Sequence, residues 1–299
     1  MKPSTKEILR RHGLRLDRAL HNWGYFVFYR PYVKAALTFS RLAEKRFAGF
    51  PPVKWISKMV FERYHSKVLS RSDVTKIIML ERDLHLGPDQ HKRIIPYKFA
   101  NSVVFRQPHM IAVMDCPCVT ASKASCDPGG KCMAVGADFA PLWLEHCKHL
   151  NARLVTREEA LANIEKYRKT GHIQQAFLKV STGGITGVIC NCCPKCCVSL
   201  EASRIAQKTD KTISMNAESG YSVRRDGKAC TACGSCAAAC PFSAMQENGQ
   251  APPSYQSDLC MGCGLCVDVC SQAAIELFAD PDKLLPLDLD LLRGGLSKK

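Results

Sequence analysis

Two stretches near the C-terminus carry the same cysteine pattern: Cys230-Thr-Ala-Cys233-Gly-Ser-Cys236-Ala-Ala-Ala-Cys240-Pro241 and Cys260-Met-Gly-Cys263-Gly-Leu-Cys266-Val-Asp-Val-Cys270. In both copies, two, two and three residues separate successive thiols. Three cysteines this close together can surround a compact metal core only if the backbone between them turns tightly. Gly234, Gly262 and Gly264 supply that conformational freedom. The pattern therefore predicts two thiolate-held metal centres.

The fourth cysteine of each copy lies too far along the chain to join the first three on one compact cluster. We therefore expect it to bind the cluster held by the other copy. This rule predicts two [4Fe-4S] clusters, cluster I on Cys230, Cys233, Cys236 and Cys270, and cluster II on Cys260, Cys263, Cys266 and Cys240. The alternative is a pair of structural zinc ribbons, because Cys-x-x-Cys turns also hold zinc.

The repeat extends beyond the ligands, since Ala244-Met245 after the first copy matches Ala274-Ile275 after the second. Residues 218–280 resemble the bacterial-type two-cluster ferredoxin domain, which implies two half-domains related by a pseudo-twofold axis. Ser271 stands where that family usually has a proline, as at Pro241. The proline is not a ligand, so the departure leaves the predicted clusters intact.

A region of about 60 residues buries too little apolar surface to be stable alone, so we expect the clusters to form the core of this domain. Eight apolar side chains are predicted to pack around the clusters and exclude water: Tyr221, Val223, Phe242, Met245, Tyr255, Leu265, Ile275 and Phe278.

Cysteine is unusually frequent, with 18 among 299 residues. Residues 1–10 lack the apolar core of a secretory signal, and no stretch reaches the ~18 apolar residues of a membrane span. The thiols therefore indicate metal ligands in a reducing compartment, not disulfides. We expect a cytoplasmic protein, with peripheral association at the inner membrane face as an alternative.

Most of the net charge of +15 lies at the N-terminus, where residues 1–72 hold 16 Lys and Arg against four Asp and Glu. This charge fits a helical layer with a solvated basic face. It also fits docking to an acidic redox protein or to an anionic membrane surface. No nucleic-acid recognition motif accompanies it, so nucleic acid is not an expected partner.

Residues 1–95 are predicted to be helical. The expected apolar stripes are Ile8, Leu9, Leu16 and Leu20, and then Phe39, Leu42, Ala43 and Phe47. A stronger helix is predicted to open at Asp73 and to end before Gly87-Pro88, with one apolar side formed by Val74, Ile77, Ile78 and Leu80.

Residues 96–215 are predicted to form a compact α/β module. Strands are expected at 110–114 and 185–189, each leading into a cysteine-rich loop. Helices are expected after the capping sequence Thr156-Arg-Glu-Glu159, with Ala160, Leu161 and Ile164 as its apolar stripe, and again over 198–208.

Nine cysteines lie in the two loop regions of this module: Cys116, Cys118, Cys126, Cys132, Cys190, Cys192, Cys193, Cys196 and Cys197. Uncoordinated thiols so crowded would oxidise and mispair, so the crowding favours metal coordination. One or two further iron–sulfur clusters are the first interpretation, and a four-cysteine zinc site is the alternative. The adjacent pairs 192–193 and 196–197 could serve two clusters, serve one larger cluster, or leave one thiol of each pair unligated. Cys147 is expected to be a small buried apolar residue.

These loops resemble a poorly characterised group of multi-cluster ferredoxin-like proteins with Cys-x-Cys and Asn-Cys-Cys-x-x-Cys-Cys elements. The resemblance covers about 100 residues. It implies cluster binding and no particular reaction.

The predicted fold class is α+β, with a basic helical region at 1–95, the cysteine-rich α/β module at 96–215, the two-cluster ferredoxin-like domain at 216–280 and a tail at 281–299 that packs back along the surface.

We expect an iron–sulfur protein that relays single low-potential electrons to a redox partner or within a redox complex. An oxidoreductase subunit with an active-site cluster in the central module is the alternative. A metal- or redox-responsive interaction protein is a third class. The sequence has no nucleotide-binding glycine motif that would indicate a flavin or nicotinamide cofactor.

Overall fold

Helices and strands are mixed along the chain, as an α+β fold requires. The computed structural model describes residues 3–13, 16–47, 64–86, 92–95, 97, 103–122, 124–179, 185–209 and 214–294. The predicted boundary at Gly87-Pro88 lies outside these residues.

Eleven α-helices are named here in chain order. They are α1 (Pro3–His12), α2 (Leu16–Val27), α3 (Tyr29–Phe47), α4 (Arg71–Ile78), α5 (Pro117–Ser122), α6 (Ala140–His146), α7 (Arg157–Arg168), α8 (Val198–Thr209), α9 (Ser235–Ala238), α10 (Leu265–Asp268) and α11 (Leu289–Gly294).

Thirteen strands are named in the same way. They are β1 (Tyr64–Leu69), β2 (Leu84–Leu86), β3 (Val103–Phe105), β4 (Ile111–Met114), β5 (Cys132–Val135), β6 (Arg153–Val155), β7 (Ile173–Lys179), β8 (Thr186–Cys192), β9 (Asn216–Ala217), β10 (Tyr221–Arg225), β11 (Met245–Asn248), β12 (Ala251–Tyr255) and β13 (Ile275–Ala279).

The centre of the molecule is a seven-stranded sheet with the order β6-β4-β5-β8-β7-β1-β9. Neighbouring strands run antiparallel except for β1 and β9, which are parallel. Every residue of β4, β5 and β8 is buried, so both faces of these strands are covered. The strands predicted near residues 110 and 185 are the second and fourth strands of this sheet.

The two faces of the sheet have different chemistry. On one face Ile111, Val113 and Met133 join the apolar core that contains Ile164 of α7. On the other face Met114 and Cys132 join a core that contains most of the central cysteines. Because successive side chains of a strand point to opposite faces, the sheet separates an ordinary aliphatic core from a thiol-rich one.

The N-terminal helices cover the thiol-rich side, since α3 packs against α5 and α8. The residues that they bury are Ala19, Tyr25, Tyr29, Val33 and Leu37. The predicted stripes are wrong here, because Leu9, Leu16, Leu20, Phe39 and Leu42 are exposed. The side chains of Ile8, Ala43 and Phe47 lie outside the described residues. Aromatic and aliphatic residues between the predicted positions make the tertiary contacts instead.

Part of the region predicted to be helical is a strand, because β1 pairs with β7 along its whole length. The sheet therefore crosses the predicted domain boundary at residue 95. The prediction for α4 is wrong at its end, because the helix stops at Ile78 with Met79 as its C-cap, so Leu80 lies beyond it and residues 84–86 form β2. It is also corrected at its start, since Ser70 is the N-cap and accepts a hydrogen bond from the Asp73 backbone N–H. The Asp73 carboxylate in turn accepts a hydrogen bond from the Ser70 backbone N–H, so Asp73 lies in the first turn as the acidic partner of a capping box.

The predicted helices of the central module are confirmed. Thr156 caps α7 by accepting a hydrogen bond from the Glu159 N–H at 3.2 Å, and Ala160 and Ile164 are buried while Leu161 is partly buried. The Glu159 carboxylate does not complete the expected capping box, because it pairs with Arg153. The helix predicted over 198–208 is α8.

The C-terminal domain has two similar halves. Strand β10 pairs with β13, and β11 pairs with β12. The short helices α9 and α10 follow Gly234 and Gly264, which both adopt left-handed backbone angles. The matching residues Met245 and Ile275 are both buried and each begins a strand. This arrangement agrees with the predicted internal repeat.

The C-terminal tail returns to the central module, where Leu287, Leu289 and Leu292 enter the aliphatic core. Asp288 contacts Lys76 of α4 at 2.9 Å, and the Tyr221 hydroxyl donates to Asp73 at 3.0 Å and to Asp288 at 3.3 Å. The tail therefore packs back as predicted and helps to fix the start of β10.

Among the described residues, no helix is both long enough and apolar enough to span a membrane.

Lys67 of β1 is a buried lysine that connects this strand to the segment leading into the C-terminal domain, and its titration provides a test of that contact. Its ammonium group donates to the carbonyls of Ile94 at 2.9 Å and Glu218 at 3.0 Å, and burial lowers its pKa to about 7. An unfolded lysine titrates near ~10.4, so between these two values the unfolded state binds more protons and the protein gains stability as pH rises.

We expect the free energy of unfolding of the wild type, relative to Lys67→Met, to increase by about 1 kcal/mol per pH unit between roughly pH 7.5 and 9.5. Anaerobic urea unfolding at three pH values measures this difference. Parallel pH curves for the two proteins would contradict it.

Candidate metal centres

The eight C-terminal cysteines line two separate pockets. One pocket contains Cys230, Cys233, Cys236 and Cys270, and the other contains Cys240, Cys260, Cys263 and Cys266. Each pocket encloses about 340 to 350 Å³, including its open mouth. In both cases three thiols come from one copy of the motif and the fourth comes from the other copy.

Six of the eight predicted packing residues line these pockets, namely Val223, Phe242, Met245, Tyr255, Leu265 and Ile275. The other two do not. The Tyr221 hydroxyl donates to Asp73 and Asp288. The Arg224 guanidinium carbon lies over the Phe278 ring, 4.9 Å from the ring centre. Phe278 is three residues after the pocket-lining Ile275 on β13, so it points to the opposite face of that strand.

Gly262 forms the tightest of the turns that position the cysteines. It has a φ of +65°, and a Cβ atom there would lie 2.1 Å from Ser219 Oγ and 2.4 Å from the Tyr221 carbonyl oxygen. The equivalent residue of the first copy is Ala232, also at positive φ. A side chain is thus accommodated in the first half but not in the second, where the turn packs against the rest of the protein.

Strand pairing brings the central cysteines together. Cys132 of β5 lies directly opposite Cys190 of β8, and Cys192 is two residues further along the same strand. All three therefore point to the same face of the sheet. The sequence prediction placed these thiols in loops, whereas Cys118, Cys132, Cys190 and Cys192 lie within regular elements.

Six central thiols form a ring of neighbours, which we call the six-thiol ring. Its side-chain contacts run from Cys116 to Cys118, Cys197, Cys192, Cys190 and Cys132, and back to Cys116.

The other three central thiols form a compact group, which we call the three-thiol group. Cys126 Sγ lies 3.4 Å from Cys193 Sγ and 2.7 Å from Cys196 Sγ. In the described part of the chain, this is the one set of three or more metal-binding side chains whose donor atoms all lie within 4.8 Å of one another. The structure thus brings all nine predicted central cysteines into two neighbouring groups.

Burial affects the thiol chemistry at these sites. Burial raises the pKa of Cys263 to about 12, although the nearby Arg168 acts in the opposite direction. In the six-thiol ring, the pKa of Cys132 is raised by its contacts with Cys116 and Cys190 and by burial, whereas contacts from Cys118 and Cys192 lower that of Cys197. Thiols of this kind become ligands when a bound metal displaces their protons.

The N-terminal helix α3 covers the ring. Burial raises the pKa of the Tyr29 phenol, and Tyr25, Cys132 and Cys190 add to this rise because they are close to it. The Tyr25 and Tyr29 rings pack 4.4 Å apart between their centres. Two aromatic side chains therefore shield this part of the ring from water.

A hydrogen-bonded chain joins the pocket of Cys263 to strand β8, which carries Cys190 and Cys192. Arg168, whose side chain is only 2% exposed, donates to the Cys263 carbonyl at 3.1 Å, to Asp268 at 2.6 Å and to Gln174 at 2.6 Å. Gln174 then donates to the side-chain oxygen of Asn191 at 2.9 Å. Asn191 lies between Cys190 and Cys192 in β8, but its side chain points to the opposite face of the sheet from these two thiols. The chain therefore ends at the strand that carries the two cysteines, on its aliphatic side.

Apolar packing joins the same two places. Cys263 and Leu265 belong to the apolar core that contains the central cysteines, and Phe242 and Met261 pack against it. All four residues also line the pocket of Cys240, Cys260, Cys263 and Cys266. The other C-terminal pocket has the exposed Cys233 on its wall.

The donor set suits thiophilic metal centres. The side chains are clustered thiols, which favour zinc and iron–sulfur clusters over oxygen-seeking ions. A buried ammonium group lies nearby, since Lys131 precedes Cys132, is 1% exposed and has no hydrogen-bond partner for Nζ among the described residues. A cluster held by thiolates carries negative charge, which would offset the burial of this cation.

Residues 222–271 match the family model described as 4Fe-4S dicluster domain. This match confirms the predicted ferredoxin-type module. Over 48 residues the chain is 40% identical to the pyruvate synthase subunit PorD of Thermotoga maritima. That alignment covers 16% of this chain and 48% of the relative, about half of the relative's length. These similarities support an iron–sulfur electron-transfer role.

The sequence analysis missed Arg168, Gln174 and Tyr29. Arg168 and Gln174 sit in an ordinary helix and an ordinary strand, with no pattern that marks them as functional. Tyr29 belongs to a stretch rich in aromatic residues, Trp23 to Tyr32, and nothing local indicates which ring faces the thiols. Only the tertiary packing gives these three residues their place.

A substitution at Gly262 tests the tight turn beside Cys263. We expect Gly262→Ala to destabilise the protein by about 2 kcal/mol or more, because the new methyl group overlaps backbone and the positive φ is strained. Gly234→Ala is the matched control, since its φ is also positive but nothing lies within 4 Å of the added carbon. Its cost should be near ~1 kcal/mol. Anaerobic denaturation and iron content measure both effects, and equal losses would contradict the steric account.

Proposed function

We propose that this protein relays single low-potential electrons through two [4Fe-4S] clusters in the C-terminal domain and at least one further iron–sulfur centre in the central module. Each centre would accept and release one electron at a time. The observation that carries the proposal is the apolar core that Cys263 and Leu265 of the cluster II pocket share with the central cysteines, and the Arg168 hydrogen bonds fix this pocket against the sheet.

The crossed ligand sets are part of this proposal. Cluster I is assigned to Cys230, Cys233, Cys236 and Cys270, and cluster II to Cys240, Cys260, Cys263 and Cys266. The division of these eight thiols between two pockets supports the assignment. Apolar residues on the pocket walls would limit water access and so help to set the reduction potentials.

The two clusters are proposed to have different roles. Cluster II would be the internal partner of the central centre, which the shared apolar core and Arg168 support. Cluster I would exchange electrons with an external redox protein, because Cys233 is exposed on its side. Electrons would therefore pass between the surface and the six-thiol ring through cluster I and cluster II in sequence.

The similarity to a pyruvate synthase subunit suggests the kind of partner. By analogy, the chain would serve as an electron-transferring component of a larger oxidoreductase complex. We propose a cytoplasmic location, because the many reduced thiols need a reducing compartment.

The basic N-terminal helices would dock the partner if it is acidic. Arg30 and Lys34 of α3 are exposed, and Leu20, Trp23 and Phe28 form an exposed apolar area on the same helical layer. Opposite charge would attract an acidic redox protein, and the apolar area would bury surface on contact. An anionic membrane surface presents the same complementary charge and is the alternative partner.

A second function fits one specific observation. The three-thiol group has no fourth His, Cys, Asp or Glu donor as close among the residues described here. A metal held there would keep a position for an external ligand, which favours the oxidoreductase alternative with an active site in the central module.

The crossed ligation is tested by comparing two cysteines that are close in sequence. We expect Cys240→Ser to alter the cluster held by Cys260, Cys263 and Cys266, and Cys236→Ser to alter the other cluster, because the two thiols line different pockets. Paramagnetic resonance spectra of the reduced proteins measure which cluster changes. The same cluster changing in both variants would overturn the crossed assignment.

The relay is tested at Arg168. In Arg168→Gln the loss of a buried positive charge should lower the potential of cluster II by on the order of 100 mV, from Coulomb's law at an effective dielectric constant of about 20. It should also slow electron exchange with the central centre. Arg168→Lys keeps the charge but loses the forked contacts. In this variant the potential of cluster II should stay closer to the wild-type value, while electron exchange with the central centre should be slow.

Anaerobic redox titration and rapid-mixing kinetics of the full chain give the two readouts. Arg224→Gln, at an exposed position in the same domain, serves as the control and should change neither. Wild-type exchange rates in both Arg168 variants would contradict the proposed route.

A further inference from the structure

The adjacent cysteines of the β8–α8 turn point to two different groups. Cys192 contacts Cys190 and Cys197, whereas Cys193 contacts Cys126 and Cys196. The turn is tight, since the Cys196 and Cys197 backbone N–H groups both donate to the Cys193 carbonyl, at 3.3 and 3.0 Å. Each adjacent pair therefore sends one thiol to the six-thiol ring and one to the three-thiol group.

We propose that Cys126, Cys193 and Cys196 bind a single thiophilic divalent metal ion, separate from the centre in the six-thiol ring, and leave its fourth coordination position to an external ligand. The inference deepens the proposed function and rests on its claim that the central cysteines bind metal. It adds a second kind of site that takes a small ligand.

The size of the group favours one ion over a cluster. A tetrahedral ion with metal–sulfur bonds of about 2.3 Å holds its sulfur ligands about 3.8 Å apart. The three Sγ atoms lie within 4.8 Å of one another, with two separations of 3.4 and 2.7 Å. A small adjustment would thus accommodate one ion, while a four-iron core would have to spread the three thiols apart.

The six-thiol ring has a different shape. Each of its thiols contacts two neighbours around a closed circuit, so the contacts connect pairs instead of converging on one point. Six donors around a circuit suit a polynuclear centre, which has several metal atoms to share them. The two central groups therefore differ in both donor number and size.

The fourth position is left open by the neighbouring residues that the structure describes. Asp127 follows Cys126 directly, but its carboxylate pairs with Lys166 at 2.6 Å and accepts the Gly129 N–H at 2.9 Å. Sites with three protein ligands and an exchangeable fourth ligand are typical of catalytic zinc, whereas structural zinc sites are closed by four.

An external ligand would have access to this position. Cys126 is partly exposed, and Ser125, Asp127 and Lys195 beside the group are exposed. Cys193 and Cys196 are themselves buried, so access to the ion would be from the side of Cys126. Cys132 and Cys190 of the ring are buried and lie close to Tyr29 of α3. The ligand class is a small donor such as water, or a thiolate that can replace it, since soft sulfur ligands suit such an ion.

The adjacent residues Cys192 and Cys193 provide a matched pair of variants for the test. Iron, zinc and acid-labile sulfide are measured in anaerobically purified full-length protein. We expect Cys193→Ser to lose about one metal ion per chain with sulfide unchanged, and Cys192→Ser to lose iron and sulfide together. In the wild-type protein, X-ray absorption at the edge of the metal that Cys193→Ser loses should show three sulfur neighbours at about 2.3 Å and one lighter atom.

Loss of several irons and of sulfide in Cys193→Ser would overturn the single-ion site, and so would four sulfur neighbours in the absorption spectrum. Cys126→Ser, in a separate loop, repeats the test in case Cys193→Ser fails to fold. Spectra of clusters I and II in the same samples report folding. If all the metal of the wild-type protein belongs to clusters I and II, this inference and the central part of the proposed function are both overturned. If the ring binds a cluster but the single ion is absent, only this inference is overturned.

Discussion

Crowded thiols need positive charge, and this constraint shapes the whole molecule. Seventeen of the 18 cysteines lie in four groups, and burial makes several of them reluctant to ionise without a cation. In the proposed function, metal ions would supply that cation and bind the groups together, as in small domains whose clusters serve as their core. The protein adds buried basic side chains of its own, with the Arg168 guanidinium on the Cys263 carbonyl and Lys131 next to Cys132 in the sequence, its Nζ 5.1 Å from the centre of the Tyr167 ring. Folding and metal binding are therefore expected to be coupled here.

The sequence could predict those parts of the fold that local chemistry determines. The doubled cysteine spacing identified the C-terminal domain, and the two apolar runs near residues 110 and 185 identified strands of the sheet. Helix α7 was found from Thr156 because an N-cap is a local signal. The N-terminal region was harder, because β1 pairs with a strand more than 100 residues away and its own sequence, Tyr-His-Ser-Lys-Val-Leu, has mixed polarity.

The site shows the same division between local and long-range information. Spacing predicts a division of the C-terminal thiols that agrees with the two pockets they line, but it could not divide the nine central ones. That division depends on the register of β5 against β8, which places Cys132 opposite Cys190, and on the turn after Cys192. The buried face of the N-terminal helices was misjudged for a similar reason. Tyr25, Tyr29 and Val33 face the thiol-rich core, while the leucines expected to form the buried stripe, Leu16, Leu20 and Leu42, are exposed.

The placement of Arg168 explains how two separate functions of the fold can be combined. As the last residue of α7, it is tied to the aliphatic side of the sheet, where Ala160 and Ile164 anchor the helix. Its forked guanidinium nevertheless reaches Asp268 and Cys263 in the C-terminal domain and Gln174 in β7. A lysine has a single charged nitrogen and could not hold all three partners in fixed directions. Arg168 thus orients the C-terminal domain on the sheet and places a positive charge beside Cys263. Because position and charge come from the same group, a change that displaces the domain would also alter the redox environment of cluster II.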